Sequence, residues 1–195
     1  MLLAEPIEIA LRVGDVLDTL GVPWLVGGSV ASSLHGIPRA TQDIDLVAQL
    51  MRRHVPTLVE ALEADFYIDA DMIRDAIHRV SSFNIIHLPT MTKVDVFLLR
   101  GDRLSQAEMK RRCFHSLGDE SGRTLPLASA EDIILQKLDW YRQSGGVSER
   151  QWRDVLGVMK IQGEQLDIAY LREQARDAGL EDLLIDALAA GPVEH

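Results

Sequence analysis

Cysteine is nearly missing: one in 195 residues, Cys113. A single thiol has no internal partner, so no disulfide framework exists, and this usage fits a protein of the reducing cytoplasm. Long apolar runs are missing too. No stretch of about 18 apolar residues is present to span a bilayer, and Met1 to Ala10 carries Glu5 and Glu8 where a secretory leader would have a basic start and an apolar run. Basic residues are in deficit: Lys and Arg number 20 against 30 Asp and Glu, a formal charge of −10. Proteins that wrap duplex nucleic acid are usually basic, so neither a membrane nor extensive duplex binding is expected. Two basic triplets, Arg52-Arg53-His54 and Lys110-Arg111-Arg112, are candidates for a local basic patch, though such charge runs more often read as solvated helix faces. The six histidines (His35, His54, His78, His87, His115 and His195) fall in no HExxH or zinc spacing. G-x-S-x-G, the Walker A loop and GxGxxG are absent as well, which removes the common hydrolase, P-loop and dinucleotide-binding readings.

What is present is a chain whose character changes along its length. Residues 7–20 carry apolar side chains at helical spacing, ended by Gly21 and Pro23. Trp24-Leu25-Val26 is a short apolar strand stopping at Gly27-Gly28, after which Ser29 is expected to cap a helix to about residue 35. Residues 36–41 form a loop and 43–48 a strand. Residues 51–64 read as a helix, 83–87 and 94–99 as a hairpin turning near Pro89-Thr90, 106–113 as a helix and 124–127 as a short strand. From Ser129 onward the pattern is helical only, with segments near 130–143, 149–161, 167–178 and 180–189. Ser129 with Asp132 resembles a capping box, and Ser148 with Gln151 is a closer match. A boundary near residue 128 therefore separates a mixed half, 1–128, from a helical half, 129–195.

Chemistry concentrates in the first half. On a strand, residues i and i+2 share a face, so Asp43 and Asp45 present paired carboxylates while Ile44 points into the core. Like charges so close disfavour joint ionisation, and a divalent cation relieves that conflict. Magnesium takes hard oxygen ligands, with carboxylates and substrate phosphates completing its octahedron. Asp95, within the apolar run 94–99, supplies a third carboxylate whose burial would be costly without a partner. Gly27 and Gly28 let backbone N–H groups approach phosphate at a helix start, Ser29 adds a hydroxyl, and Arg39 a bidentate fork. Singly, a Gly-Gly turn or an Asp-x-Asp pair is more often plain structure; the ordered set strand, GGS, helix, loop, DxD strand and third Asp strand is the informative unit. Cys113 follows three basic residues but reads as a structural thiol. His35 could contact substrate or serve packing.

The run Val26-Gly27-Gly28-Ser29-Val30-Ala31, then His35-Gly36-x-x-Arg39-x-Thr41-x-Asp43-Ile44-Asp45-Leu46, resembles the core motif of the polymerase-β-like nucleotidyltransferase superfamily. The likeness, over about residues 22–160, is strongest to the minimal bacterial branch around AbiEii-type toxin nucleotidyltransferases. It implies an α+β fold: a mixed nucleotidyltransferase sheet flanked by helices, then a C-terminal helical bundle. It implies an NTP substrate, two Mg2+ ions on Asp43, Asp45 and Asp95, and nucleotide contacts at Gly27, Gly28, Ser29, Arg39 and Thr41. It also implies catalytic roles for Lys137, at the triphosphate, and Asp154, orienting the acceptor or Lys137. The residues themselves leave Lys137 open to snorkelling at the surface and Asp154 to pairing with Arg150 on its own helix.

The expected reaction is transfer of NMP from an NTP to a hydroxyl on tRNA, protein or a small molecule. A toxin with an antitoxin partner, an antibiotic-modifying enzyme of aminoglycoside type, and a nucleotide-binding module without catalysis are the three readings.

Overall fold

The computed structural model describes residues 4–41, 43–118 and 122–190. Residues 1–3 of the leader reading and His195 lie outside them.

The architecture grows from two strands buried on one face. β2 (Asp43–Ala48) and β5 (Thr92–Leu98) run parallel with Ile44 beside Val94 and Leu46 beside Val96, and all four side chains are buried. Antiparallel neighbours complete the centre. β1 (Trp24–Val26) pairs with β2, and β4 (Ser82–His87) with β5. β3 (Phe66–Tyr67) extends one edge; β7 (Thr124–Leu127) and β6 (Cys113–Ser116) extend the other, β7 lying parallel to β1. The sheet is thus mixed, in the order β3-β4-β5-β2-β1-β7-β6.

One face is covered by α1 (Ala4–Thr19), α3 (Val55–Leu62) and α4 (Ala70–Arg79). Val13, Leu17, Leu58 and Leu62 meet Phe83, Ile85 and Val96 there. The other face receives α2 (Gly28–His35) and α6 (Ala130–Gln143), with Trp140 tilted against Phe97 at 6.4 Å. α5 (Arg103–Arg111) follows β5. α7 (Glu149–Gln162) packs on α6 and α2, and α8 (Ile168–Ala178) and α9 (Glu181–Ala189) lie behind them. Gly36, ending α2, allows the approach to α7: a Cβ there would stand 2.8 Å from the Val158 nitrogen. The fold is α+β, a mixed sheet flanked by helices.

Several expectations need correction. Ser29 is not a cap: α2 begins at Gly28, Gly27 is its N-cap, and the Ser29 side chain lies inside the first turn. The residue 51–64 helix opens as a 3₁₀ turn, Arg52–His54, because Pro56, lacking an N–H, fixes the α-helical start at Val55. The 106–113 helix starts earlier, at Arg103, where Asp102 accepts from the Ser105 N–H at 2.8 Å, and it ends at Arg111 because Cys113 enters β6. Ser129 does cap α6, but Ser148, the better match by pattern, makes no side-chain cap to α7. Lys110-Arg111-Arg112 is not a uniformly free face: Arg111 bonds Glu131 at 3.3 Å and stacks on Tyr170, and Arg112 donates to the Met109 carbonyl at 2.6 Å.

Candidate active site

The parallel register of β2 and β5 sets Asp43 beside Lys93, Asp45 beside Asp95 and Val47 beside Phe97. In-register residues on neighbouring strands share a face, so three carboxylates and one ammonium stand together on the face opposite the Ile44–Val94 core. Asn84 of β4 lies next to Asp95 in the same row. Lys93 holds two of the carboxylates: its Nζ is 2.8 Å from Asp95 and 4.0 Å from Asp43. The hydrogen bond to Asp95, opposed in part by burial, holds the Lys93 ammonium above its ordinary pKa.

Asp45 turns the other way, toward the glycines. Its carbonyl accepts from the Gly27 N–H at 2.9 Å, and its Oδ2 accepts from the Ser29 N–H at 3.4 Å. Gly28 sits at φ +54°, and a Cβ on it would fall 1.7 Å from Asp45 Oδ2. Only glycine suits both the left-handed backbone and this close approach. Burial raises the Asp45 pKa; the Ser29 N–H and Lys137 pull it back, and Asp95 and Asp43 raise it further. The Gly28 N–H donates to Gln136 Oε1 at 3.3 Å.

The helical side contributes a second cluster. Lys137 on α6 is fully buried, and its Nζ lies 2.7 Å from Asp154 Oδ2 on α7. Arg39, from the loop after α2, donates to both Asp154 oxygens, at 3.1 and 3.3 Å, and to Ser29 Oγ at 2.5 Å. Ser32 Oγ adds a bond to Asp154 at 3.5 Å and one to the Ser29 carbonyl at 3.1 Å. Burial would raise the Asp154 pKa, but the hydrogen bonds from Arg39 and Lys137 outweigh it and hold the carboxyl below its ordinary value. Burial lowers the Lys137 pKa, with Asp154 opposing. Lys137 is therefore no snorkelling lysine, and Asp154 is not the partner of Arg150; Arg153 is the residue of that helix that pairs at i−4, with Glu149 at 3.1 Å.

The structure thus brings Gly27, Gly28, Ser29, Asp43, Asp45, Asp95, Lys137 and Asp154 to one cleft with Arg39. Thr41 stands at its edge, its hydroxyl donating to the Asp43 carbonyl at 3.0 Å. His35 has a structural setting: Nε2 donates to the Ala128 carbonyl at 2.8 Å, and burial lowers its pKa. Sequence reasoning missed the bridging position of Lys93, the Gln136 contact and Asn84. A strand-pairing register could have revealed Lys93 and Asn84; Gln136, on α6, needed the packing of that helix on α2.

Among the described residues, no three carboxylate, imidazole or thiol groups are arranged to hold a metal ion as they stand. The side chains explain this: Asp43 and Asp95 lean toward Lys93, and Asp45 leans toward Ser29. Their donor chemistry nevertheless suits a hard divalent cation. Lys93, with its side chain 42% exposed, already occupies the cationic place between two of them.

No protein-family profile matches the chain, and no curated protein matches it by sequence. Solved structures do. The antibiotic-resistance factor ANT(2″)-Ia, solved in complex with adenylyl-2″-tobramycin, aligns at 17% identity over 90% of this chain and 99% of its own, with a TM-score of 0.60. A nucleotidyltransferase-like protein of Paracoccidioides brasiliensis aligns at 19% identity over 93% of this chain and 90% of its own, TM-score 0.50. A candidate nucleotidyltransferase of Thermotoga maritima aligns at 17% identity over 79% and 96%, TM-score 0.52. The chain has the nucleotidyltransferase fold. Among the described residues, no helix is long and apolar enough to cross a membrane.

Proposed function

We propose that this chain transfers a nucleoside monophosphate from an NTP to the hydroxyl of a small molecule. The acceptor oxygen forms a bond to the α-phosphorus, the bond from that phosphorus to the leaving oxygen breaks, pyrophosphate departs and the hydroxyl proton passes to water. One observation carries the reading: the β2–β5 register that sets Asp45 beside Asp95 directly under the Gly27–Ser29 turn.

Each residue has a role in this reading. The N–H groups at the start of α2 and the Ser29 hydroxyl receive phosphate oxygens. Lys137, tied to Asp154, brings positive charge close to Asp45 and the phosphates. Arg39 holds Ser29 and Asp154 and is positioned to meet the triphosphate, and Thr41 lies at the nucleotide's edge. Asp43, Asp45 and Asp95 would hold Mg2+, which when bound neutralises phosphate charge and lowers the pKa of the acceptor hydroxyl. The strands β2 and β5 carry the carboxylates and the turn before α2 receives the phosphates; α6 and α7 bring Lys137 and Asp154 against them.

A small-molecule acceptor is favoured over tRNA by the net charge of −10 and by the fold shared with ANT(2″)-Ia. The AbiEii-like reading, with an antitoxin partner, rests on the placing of Lys137 and Arg153-Asp154 in the sequence. The test is transfer of label from each of four α-³²P-NTPs, with Mg2+, into total RNA, the protein itself and a panel of aminoglycosides. Label in the small-molecule pool, lost with Asp45→Ala, supports the proposal. Label only in RNA or protein would reassign the acceptor, and transfer surviving Asp45→Ala would sink the site.

A further inference from the structure

A helix leaves its first backbone N–H groups without partners of its own, and buried donors are seldom left unpaired. At the start of α2 each has found an acceptor. The Gly27 N–H donates to the Asp45 carbonyl at 2.9 Å, main chain to main chain. The Ser29 N–H reaches Asp45 Oδ2 at 3.4 Å. The Gly28 N–H donates to Gln136 Oε1 at 3.3 Å. The Gln136 carboxamide lies over the turn as a whole: a Cβ on Gly27 would stand 3.5 Å from its Oε1 and 3.7 Å from its Nε2.

Two of these acceptors are therefore side-chain oxygens standing where phosphate oxygens would be received. They differ in kind. Asp45 is charged and belongs with the other carboxylates. Gln136 is neutral and half-buried, and it reaches the turn from α6, 108 positions along the chain. Among the described residues, the bond to Gly28 is the only hydrogen bond its side chain makes. At 3.3 Å that bond is longer than usual, so it satisfies the donor and is given up at small cost. Gln136 also lines a cavity of about 300 Å³ between α5 and α6, next to Asp139 and Trp140. The side chain thus has room to leave the turn while α6 stays where it is.

Resting on the proposed transferase reading, we infer that Gln136 is a latch on the phosphate turn: its amide oxygen holds the Gly28 N–H while the site is empty and swings toward the α5–α6 cavity when a polyphosphate takes that N–H. The closed latch weakens binding. A ligand meets only the open fraction of molecules, and its apparent affinity falls by that fraction. Lys137, the next residue, works in the opposite direction by bringing positive charge close to Asp45. One helix carries both the attraction and the restraint.

Two substitutions of similar length separate a latch from a plain structural contact. Gln136→Met offers Gly28 no oxygen. It should tighten the Kd for Mg-α,β-methylene-ATP, which cannot release pyrophosphate, by about fivefold, the scale of one net hydrogen bond. It should also lower the melting temperature slightly, because the empty turn loses an acceptor. Gln136→Glu keeps the oxygen and adds a charge. It should slow exchange of the Gly28 amide proton and weaken nucleotide binding by at least about tenfold. Calorimetry and amide exchange followed by NMR read these effects on the full chain. A structural contact would lose stability in the Met variant without gaining affinity, and that result overturns the inference. So does weaker binding by Gln136→Met, which would make Gln136 a direct nucleotide contact. Inorganic tripolyphosphate separates the latch from the transferase reading. If it binds in the order Met variant, parent, Glu variant while no NTP transfers label, the latch stands and the transferase reading falls. Label transfer with affinities indifferent to Gln136 does the reverse, and no binding of either anion to Gln136→Met removes the latch.

Discussion

Asp95 and Asp154 are carboxylates of the same cleft with opposite surroundings. Asp95, on the sheet, has a partly exposed Lys93 as its ion-pair partner. Asp154, on α7, is 8% exposed at its side chain and receives Arg39, Lys137 and Ser32. The sheet side therefore holds negative charge that an incoming cation can neutralise, whereas the helical side is already neutralised and rigid. In the proposed reaction, preorganisation and availability would be divided between two layers: one would keep its dipoles fixed for the transition state, and the other would offer carboxylate oxygens to a ligand.

The strongest way to break this contrast is at the sheet. Asp95→Asn should reduce transfer by about a thousandfold, the scale expected when a charge-stabilising group is lost, with the melting temperature nearly unchanged. Rates and melts on one preparation check both halves; a folded, fully active variant would remove Asp95 from the site. Asp154→Asn should act mainly on stability. It leaves the buried Lys137 ammonium without its counter-charge, a change that costs about 3 to 5 kcal/mol in buried pairs, read by urea unfolding. Adding Lys137→Met should recover much of that loss, and no recovery would mean the pair is not coupled.

A third variant sharpens the comparison through pH. Glu108 has a folded pKa near 8, above its ordinary 4.5. The native state thus holds a proton that the unfolded chain releases, so stability falls as pH rises from about 4.5 through 8. Glu108→Gln should cancel that slope, gaining on the order of a few kcal/mol over the parent at pH 8 and nothing below pH 4.5. Parallel curves for the two proteins would refute it. Smallest is Lys93→Met. With its partners partly exposed, it should change stability by under about 1 kcal/mol and tighten Mn2+ binding by up to about thirtyfold, since one unit charge near 4 Å from a divalent ion in water is worth about 2 kcal/mol. Weaker Mn2+ binding would show that Lys93 helps rather than competes.

The half of the site built from contiguous motif was legible in the sequence, because period-two alternation places Asp43 and Asp45 on one face and Ile44 on the other without any long-range information. The partners of Lys137 and Asp154 were not. A lysine on an apolar-rich helix reads equally as snorkelling, and only the packing of α6 on α7 decides. Ser29 was misjudged because Gly27 takes the cap position, leaving the serine hydroxyl for Arg39. α4 escaped notice because only Ile73 and Ala76 of its ten residues are buried, too few to mark a period. β6 escaped because three of its four residues are exposed and it follows directly on a basic helix. Glu108 had no signal at all: on a polar helix it reads as a solvated acid, and only tertiary packing buries it.

The Lys137–Asp154–Arg39 chain also limits how such a protein could be recombined. Its three members come from the loop after α2, from α6 and from α7, some 115 positions apart at the extremes. A cassette exchange that grafted a foreign α7 would keep a buried lysine and lose its counter-charge, unless the donor carried an acid at the matching turn. The helical layer can be traded between chains only together with that one carboxylate, which ties any shuffling of the helical layer to an intact Arg39–Ser29 turn.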